Sequence, residues 1–236
     1  MPGHILSKST FIRGYQCLKS LYLNKHRPFL RDRLQAAQLN KFDRGHDVGK
    51  LAWQLFPGGE DCSPGHPSAY ARAAKHSLQR VQDGVSVLYE TVFQYDEVLV
   101  MPDILVKSGD GYAMYEVKSS LRISETYLMD AALQFYVLKG AGVNVKSVHI
   151  VYVNKDYVYP GGSVNPESYF LIEDVTERAE VLQDRVVSLV REEKMTLQSS
   201  HSPSISVGTH CFIPYPCDFT GHCWKQVPED AIIRMP

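Results

Sequence analysis

The spacing of apolar positions changes character at Val85. Up to that point apolar residues recur at helical intervals, and beyond it they alternate or form short runs as in strands. Ser7 is placed to cap a helix running to about Asn24, closed by His26-Arg27-Pro28. A second helix is predicted from about Asp32 to Phe56, stopped by Pro57-Gly58-Gly59, and a third from Pro67 to Asp83, ended by Gly84. From there Val85–Thr91, Val98–Lys107, Tyr112–Ser119 and Lys146–Val153 read as strands. One helix, about Ser124 to Lys139, interrupts them and ends near Gly140 and Gly142. Asp156 to Glu167 is a loop rich in Pro, Gly, Asn and Tyr, and Tyr169–Ile172 is an edge-strand candidate. A long amphipathic helix follows from Asp174 to about Leu197, with Asp174 as cap and Glu177 three residues on. Ser199 to Pro203 leads into a short cysteine-bearing C-terminal module. A helix between strands supplies a crossover, so the order predicts an α/β fold in which a mixed central β-sheet is flanked by helices. The expected organisation is one domain over 1–236: a helical N-terminal region 1–84, a core 85–153, and a C-terminal helix and cysteine module 154–236.

Chemistry enters with the hairpin. Ser108-Gly109-Asp110-Gly111 joins two of the strands and has the Gly/Asp composition a tight turn needs. With Gly109-Asp110 as the turn, Asp103 lies opposite Glu116; with Asp110-Gly111, it faces Lys118. Glu116 and Lys118 share a face, so either register brings the three groups together. Opposed side chains have Cβ atoms roughly 4.5–5.5 Å apart, and two carboxylates at that spacing repel unless a cation sits between them. Two carboxylates, water and a phosphate oxygen suit Mg²⁺ or Mn²⁺, and a nearby ammonium orients water or stabilises charge in the transition state. A surface hairpin whose Glu and Lys only face solvent has the same sequence.

Cys211, Cys217 and Cys223 are spaced Cys-x5-Cys-x5-Cys in a segment rich in Pro, Gly and His, and Cys17 and Cys62 stand far from them. Disulfides are not expected in a cytoplasmic chain, which leaves a metal site or buried thiols. Structural zinc usually shows a Cys-x(2–4)-Cys pair, absent here, whereas an iron–sulfur cluster tolerates wider spacing and takes a fourth Cys from Cys17 or Cys62. His210 and His222 keep zinc open as the alternative.

The composition, 44% hydrophobic and 22% charged in 236 residues, is that of a globular protein, and no apolar run approaches the ~20 residues of a membrane span. No secretory signal opens the chain, so a cytoplasmic location without membrane contact is expected. The net charge of −1 argues against nucleic-acid packaging, but residues 1–50 hold ten Lys/Arg against three acids. Phe11, Tyr15, Tyr22 and Phe29 lie among those charges, a combination that suits single-stranded nucleic acid; Arg27, Arg31 and Arg33 are the DNA-binding candidates. Solvated helix faces and core aromatics give the same pattern.

With Arg44-Gly45-His46-Asp47-Val48-Gly49 added to the hairpin and the cysteines, the chain resembles the PD-(D/E)XK nuclease superfamily. More narrowly, it is similar to the RecB-like iron–sulfur nucleases of the fourth CRISPR-associated (Cas) family and their stand-alone relatives. The motifs run in order over nearly the whole length: Ser7 to Leu23 with Cys17, Arg44-Gly-His46, Pro102-Asp103, Glu116-Val-Lys118, Gln134-Phe-Tyr136 and the cysteine triplet. The resemblance implies a restriction-endonuclease-like core. It implies that His46, Asp103 and Glu116 hold Mg²⁺ or Mn²⁺, with the Val117 carbonyl as a further ligand, and that Lys118 is the catalytic lysine. It also implies a [4Fe–4S] cluster on Cys17, Cys211, Cys217 and Cys223. Gln134 is expected to position substrate or water. Relatives carry Gln-x3-Tyr on this helix, while Tyr136 follows Gln134 by two positions, which leaves Tyr136 between a catalytic and a core role. Phe42, His46, Gly49 and Trp53 share one helical face, which aims His46 at the sheet. The expected activity is metal-dependent DNA hydrolysis from an end, preferring single strands, in a homo-oligomer or with DNA-processing partners. A non-catalytic DNA-end-binding adaptor and a zinc-stapled restriction-type endonuclease are the rival readings.

Overall fold

The structure, a computed structural model, describes residues 5–32, 47–225 and 227. The chain divides into two compact units, one of residues 1–8 and 40–186 and one of 9–39 and 187–236. The first holds every strand among the described residues, in two mixed sheets. In chain order these are β1 (Leu6–Ser7), β2 (Glu60–Asp61), β3 (Val87–Tyr89), β4 (Phe93–Tyr95), β5 (Val98–Val100), β6 (Ile104–Ser108), β7 (Gly111–Lys118), β8 (Val145–Val153) and β9 (Phe170–Asp174). The six-stranded sheet has the order β2-β3-β6-β7-β8-β9, and the smaller one β1-β5-β4. β7 and β8 are parallel, joined by a helix from Glu125 to Gly140, and β9 closes the sheet antiparallel to β8. This is the mixed α/β core with flanking helices that the sequence predicts, including its edge strand.

The run predicted as a single strand from Val98 to Lys107 is divided between the two sheets. Pro102 has no N–H to give a ladder, and the chain leaves β5 at Val100 and enters β6 at Ile104. The β6–β7 register pairs Ile104 with Tyr115 and Ser108 with Gly111, so Gly109-Asp110 is the turn. Gly109 takes φ 59° there, the left-handed first position of a tight hairpin turn that a side chain rarely adopts.

The helices are numbered in chain order: α1 (Lys8–Gln16), α2 (Leu18–His26), α3 (residues 47–52), α4 (Tyr70–Gln82), α5 (Glu125–Gly140), α6 (Pro166–Tyr169), α7 (Thr176–Val181), α8 (Gln183–Gln198) and α9 (Thr220–Cys223). Ser124 caps α5, its side chain accepting from the Tyr127 N–H at 3.3 Å. α5 is buried on most of its circumference, as a helix packed inside a domain must be. α3 and the 3₁₀ turn Trp53–Leu55 cover one face of the larger sheet through Ala52, Tyr89, Ile104, Val151 and Phe170.

The single helices expected at either end are each broken in two. Cys17 has extended dihedrals (φ −164°, ψ 112°): its N–H still reaches Arg13 O and its carbonyl already receives Leu21 N, so it closes α1 and opens α2. Asp174 ends β9, and its carboxylate accepts from the Thr176 N–H at 2.8 Å; the helix behind it breaks at Leu182. In the second unit Gly14 faces α8 so closely that a Cβ there would collide with the Glu193 side chain, which accounts for a glycine inside α1 despite its cost of about 1 kcal/mol relative to alanine. Among the described residues no helix is long and apolar enough to cross a membrane.

Candidate functional site

The strand break at Pro102 leaves Asp103 at the mouth of β6, where the register sets it opposite Glu116. Its Oδ2 accepts the Val117 N–H at 2.6 Å, and its own carbonyl accepts the Glu90 N–H at 2.9 Å. Glu90 holds φ 49°, uncommon for a residue with a side chain. Glu116 is 1% exposed on the central strand β7, and three side chains converge on it. Lys118 Nζ lies 2.6 Å and Lys8 Nζ 2.7 Å from Glu116 Oε1, while Gln134 Nε2 donates to Oε2 at 2.7 Å. Lys118 also pairs with Asp130, one turn before Gln134 on α5, and Gln134 Nε2 reaches Asp130 Oδ1 at 3.2 Å. Gln134 Oε1 is buried with no partner.

Charges follow this geometry. Burial pushes Glu116 upward, but the ammonium groups of Lys118 and Lys8 outweigh it and hold the carboxyl down at about 2. Burial and the Glu116 charge together raise Asp103 well above the usual carboxylate range. Burial acts against the charge on both lysines, yet Asp130 and Glu116 keep them raised. The set is the strongly ionised Glu116 between two cations, Asp130 paired to one of them, and Asp103 beside them with no ion pair among the described residues.

Asp103, Glu116, Lys118 and Gln134 are thus brought together, with the Val117 backbone beside Asp103. Tyr136 points elsewhere: its hydroxyl donates to Asp96 at 3.1 Å and its ring meets Tyr95 edge-on. His46 and Arg33 lie outside the described residues. Sequence reading missed Lys8, Glu90 and Asp130. Asp130 sits four residues before Gln134, on the same helical face, which was a legible signal. Lys8 had none, being 108 residues from its partner Glu116.

In the second unit Cys17, Cys211, Cys217 and Cys223 line one cavity, with His210 in its wall. Burial raises the Cys17 and Cys223 thiols, and the neighbouring thiols add to the rise. Gln16 Nε2 secures the C-terminal loop by donating to His210 O and Tyr215 O, each at 2.7 Å. Asp218 pairs with both Arg13 and Arg31, whose guanidinium groups lie 5.8 and 6.0 Å from the Phe219 ring. Arg31, although exposed, is therefore engaged in an ion pair within its unit, and Arg27 is exposed. Among the described residues no three of these thiols have donor atoms within 4.8 Å of one another. Four sulfurs around one zinc at 2.3 Å would stand about 3.8 Å apart.

No family model and no curated protein matches this sequence. Distant likenesses among solved structures include SSO0001, at 12% identity over 84% of this chain and 78% of that one with a TM-score of 0.37. A phage-related exonuclease from Haemophilus somnus 129PT is 11% identical over 77% of this chain and 90% of that one, with a TM-score of 0.31. Likenesses this distant carry no argument about activity, so the functional reading rests on the side chains.

Proposed function

We propose that the chain is a metal-dependent deoxyribonuclease of the PD-(D/E)XK type, with a [4Fe–4S] cluster that ties its second unit together. The observation that carries the reading is the convergence of Asp103, Glu116, Lys118 and Gln134 across β6, β7 and α5. Two carboxyl groups facing each other, one of them raised by burial and by the charge of the other, are a donor set for a hard divalent ion. Mg²⁺ or Mn²⁺ bound there, with His46 and the Val117 carbonyl as further ligands, would polarise a phosphate oxygen and acidify bound water. Lys118, paired with Glu116 and Asp130, would hold positive charge beside the carboxylates, where negative charge would grow on the phosphoryl oxygens during attack. Gln134 fixes Glu116 through its amide N–H, and its unpartnered Oε1 is an acceptor for a water. Asp130 locks the Lys118 ammonium in that place. Lys8 adds a second cation on the same carboxylate.

The four thiols of Cys17, Cys211, Cys217 and Cys223 share a cavity, and their wide spacing along the chain suits a thiolate-held cluster better than the short Cys-x(2–4)-Cys pairs of structural zinc. Digestion from an end and preference for single strands belong to the same proposal, with the exposed Arg27 as a phosphate contact. The test is digestion of end-labelled single- and double-stranded DNA with Mg²⁺ or Mn²⁺. Lys118→Ala is expected to lower the rate by about 10²–10³-fold, the usual loss of one transition-state partner, without loss of DNA binding. Near wild-type cleavage by this variant would overturn the assignment. DNA-end binding without cleavage by the wild-type protein would make the chain an adaptor.

A further inference from the structure

Unit one carries another constellation, distinct from the carboxylates of the proposed nuclease site. Glu60 in β2 and Cys62 just beyond it are two residues apart in extended chain, which sends both side chains to one side. His76 and Arg80 are one turn apart on α4 and share a face. The structure apposes these two faces. His76 Nε2 lies 3.5 Å from Glu60 Oε1, and Arg80 Nε lies 3.0 and 2.9 Å from the two Glu60 oxygens. The donor atoms of Glu60, Cys62 and His76 all fall within 4.8 Å of one another. Cys62 is 5% exposed, with its sulfur 3.8 Å from the Glu60 carbonyl oxygen.

We propose that Glu60, Cys62 and His76 form a zinc site with its fourth position open to the adjoining cleft. A thiolate, an imidazole and a carboxylate are a donor set for a borderline-soft ion and not for Mg²⁺. Donors 2.0–2.3 Å from a common tetrahedral centre stand about 3.3–3.8 Å apart. The His76–Glu60 separation already has that value, and the sulfur lies within 4.8 Å of both donors. The Arg80 guanidinium on Glu60, and that of Arg72 in the adjoining cleft, oppose a cation here. An ionised carboxylate offers about four acceptor positions, however, and a guanidinium on two of them fixes the group's orientation while leaving others toward His76. Its charge lowers affinity without removing the site. The cleft beside the thiol is lined by Asp61, Ser63, Pro64 and Arg72, so water can complete the coordination. Binding releases the Cys62 proton to solvent. Its structural effect is to clip β2, a two-residue strand at the sheet edge, to α4.

The test is titration of the full-length, anaerobically purified protein with Co²⁺ and then Zn²⁺. The expected result is a thiolate-to-cobalt charge-transfer band in the wild type that Zn²⁺ displaces. That band should persist in Cys17→Ser, disappear in Cys62→Ser, and require at least about tenfold more metal in His76→Asn, since even indirect supports of a metal site are worth 10–100-fold. Zn²⁺ should also protect Cys62 from alkylation, read by mass spectrometry, in wild-type protein. An unchanged band in Cys62→Ser, or alkylation of Cys62 at the same rate with and without Zn²⁺, would overturn the proposal. Neither readout depends on DNA cleavage, so the nuclease reading stands or falls separately.

Discussion

Glu193 is fully buried on α8, and among the described residues neither of its carboxylate oxygens has a hydrogen-bond partner. Burial, reinforced by the neighbouring Glu192, pushes it up to about 9 from an ordinary value of 4.5. A carboxyl whose pKa is raised on folding binds its proton more tightly in the native state. Its contribution to stability is complete below about pH 4.5 and is lost progressively as pH rises toward 9. Glu193→Gln is therefore expected to raise the melting temperature by an increment that grows between pH 5 and 9. At about 2–4 °C per kcal/mol for a chain of this length, the increment is readable in thermal scans at fixed ionic strength. An increment that shrinks with pH would show the carboxylate to be ionised and paired. The same logic explains what the sequence left hidden at the nuclease candidate. Asp103 opposite Glu116 reads as two repelling carboxylates, but Lys8 and Lys118 already hold Glu116, and Asp103 has no ion pair among the described residues. Charges from distant segments decide that asymmetry.

The crossover helix α5 carries Asp130 and Gln134 to the carboxylates, and its start is fixed by one side chain. Ser124 is the cap, accepting from the Tyr127 N–H. Ser124→Ala is expected to cost about 0.5–2 kcal/mol of stability, measured by denaturant titration at unchanged slope. A neutral result would mean that burial of the helix sets its start without the cap. Elements bounded by strong local signals, such as α5 behind Ser124 and a hairpin within Ser108-Gly109-Asp110-Gly111, are legible in sequence, although the choice between two turns there is not. The breaks at Cys17 and Leu182 are not, because neither a proline nor a glycine marks them. β1 and β2 are two-residue strands, too short for any periodicity, and exist only through their neighbours.

Across the whole molecule the second unit is built from two remote stretches, 9–39 and 187–236. Cys17 comes from the first, and Cys211, Cys217 and Cys223 from the second. Iron bound by all four would cross-link stretches nearly the length of the chain apart, on top of the Arg13–Asp218 and Arg31–Asp218 pairs. Anaerobic protein is expected to be brown, with iron and acid-labile sulfide, and Cys17→Ser is expected to lose the colour and melt several degrees lower. Cys62→Ser should keep its iron, because Cys62 lies in the other unit. Colourless protein with one zinc on the four thiols would replace the cluster with the zinc alternative.

What the sequence determined by itself is what depends on neighbours in the chain. Alternation and turn chemistry specify β7, β8, their crossover helix and a hairpin that gathers Asp103, Glu116 and Lys118 in either of two registers; the pairing that makes Gly109-Asp110 the turn came only with the structure. Tertiary structure alone decided what depends on partners far along the chain. It brought Lys8 to Glu116, faced Glu60 and Cys62 with His76, and withdrew Tyr136 to Asp96. It also divided Val98–Lys107 between two sheets and drew the second unit from both ends of the sequence. Hydrophobic period and capping are local and act over a few residues, whereas ion pairing and burial select among side chains by proximity in space, which no spacing in the sequence records.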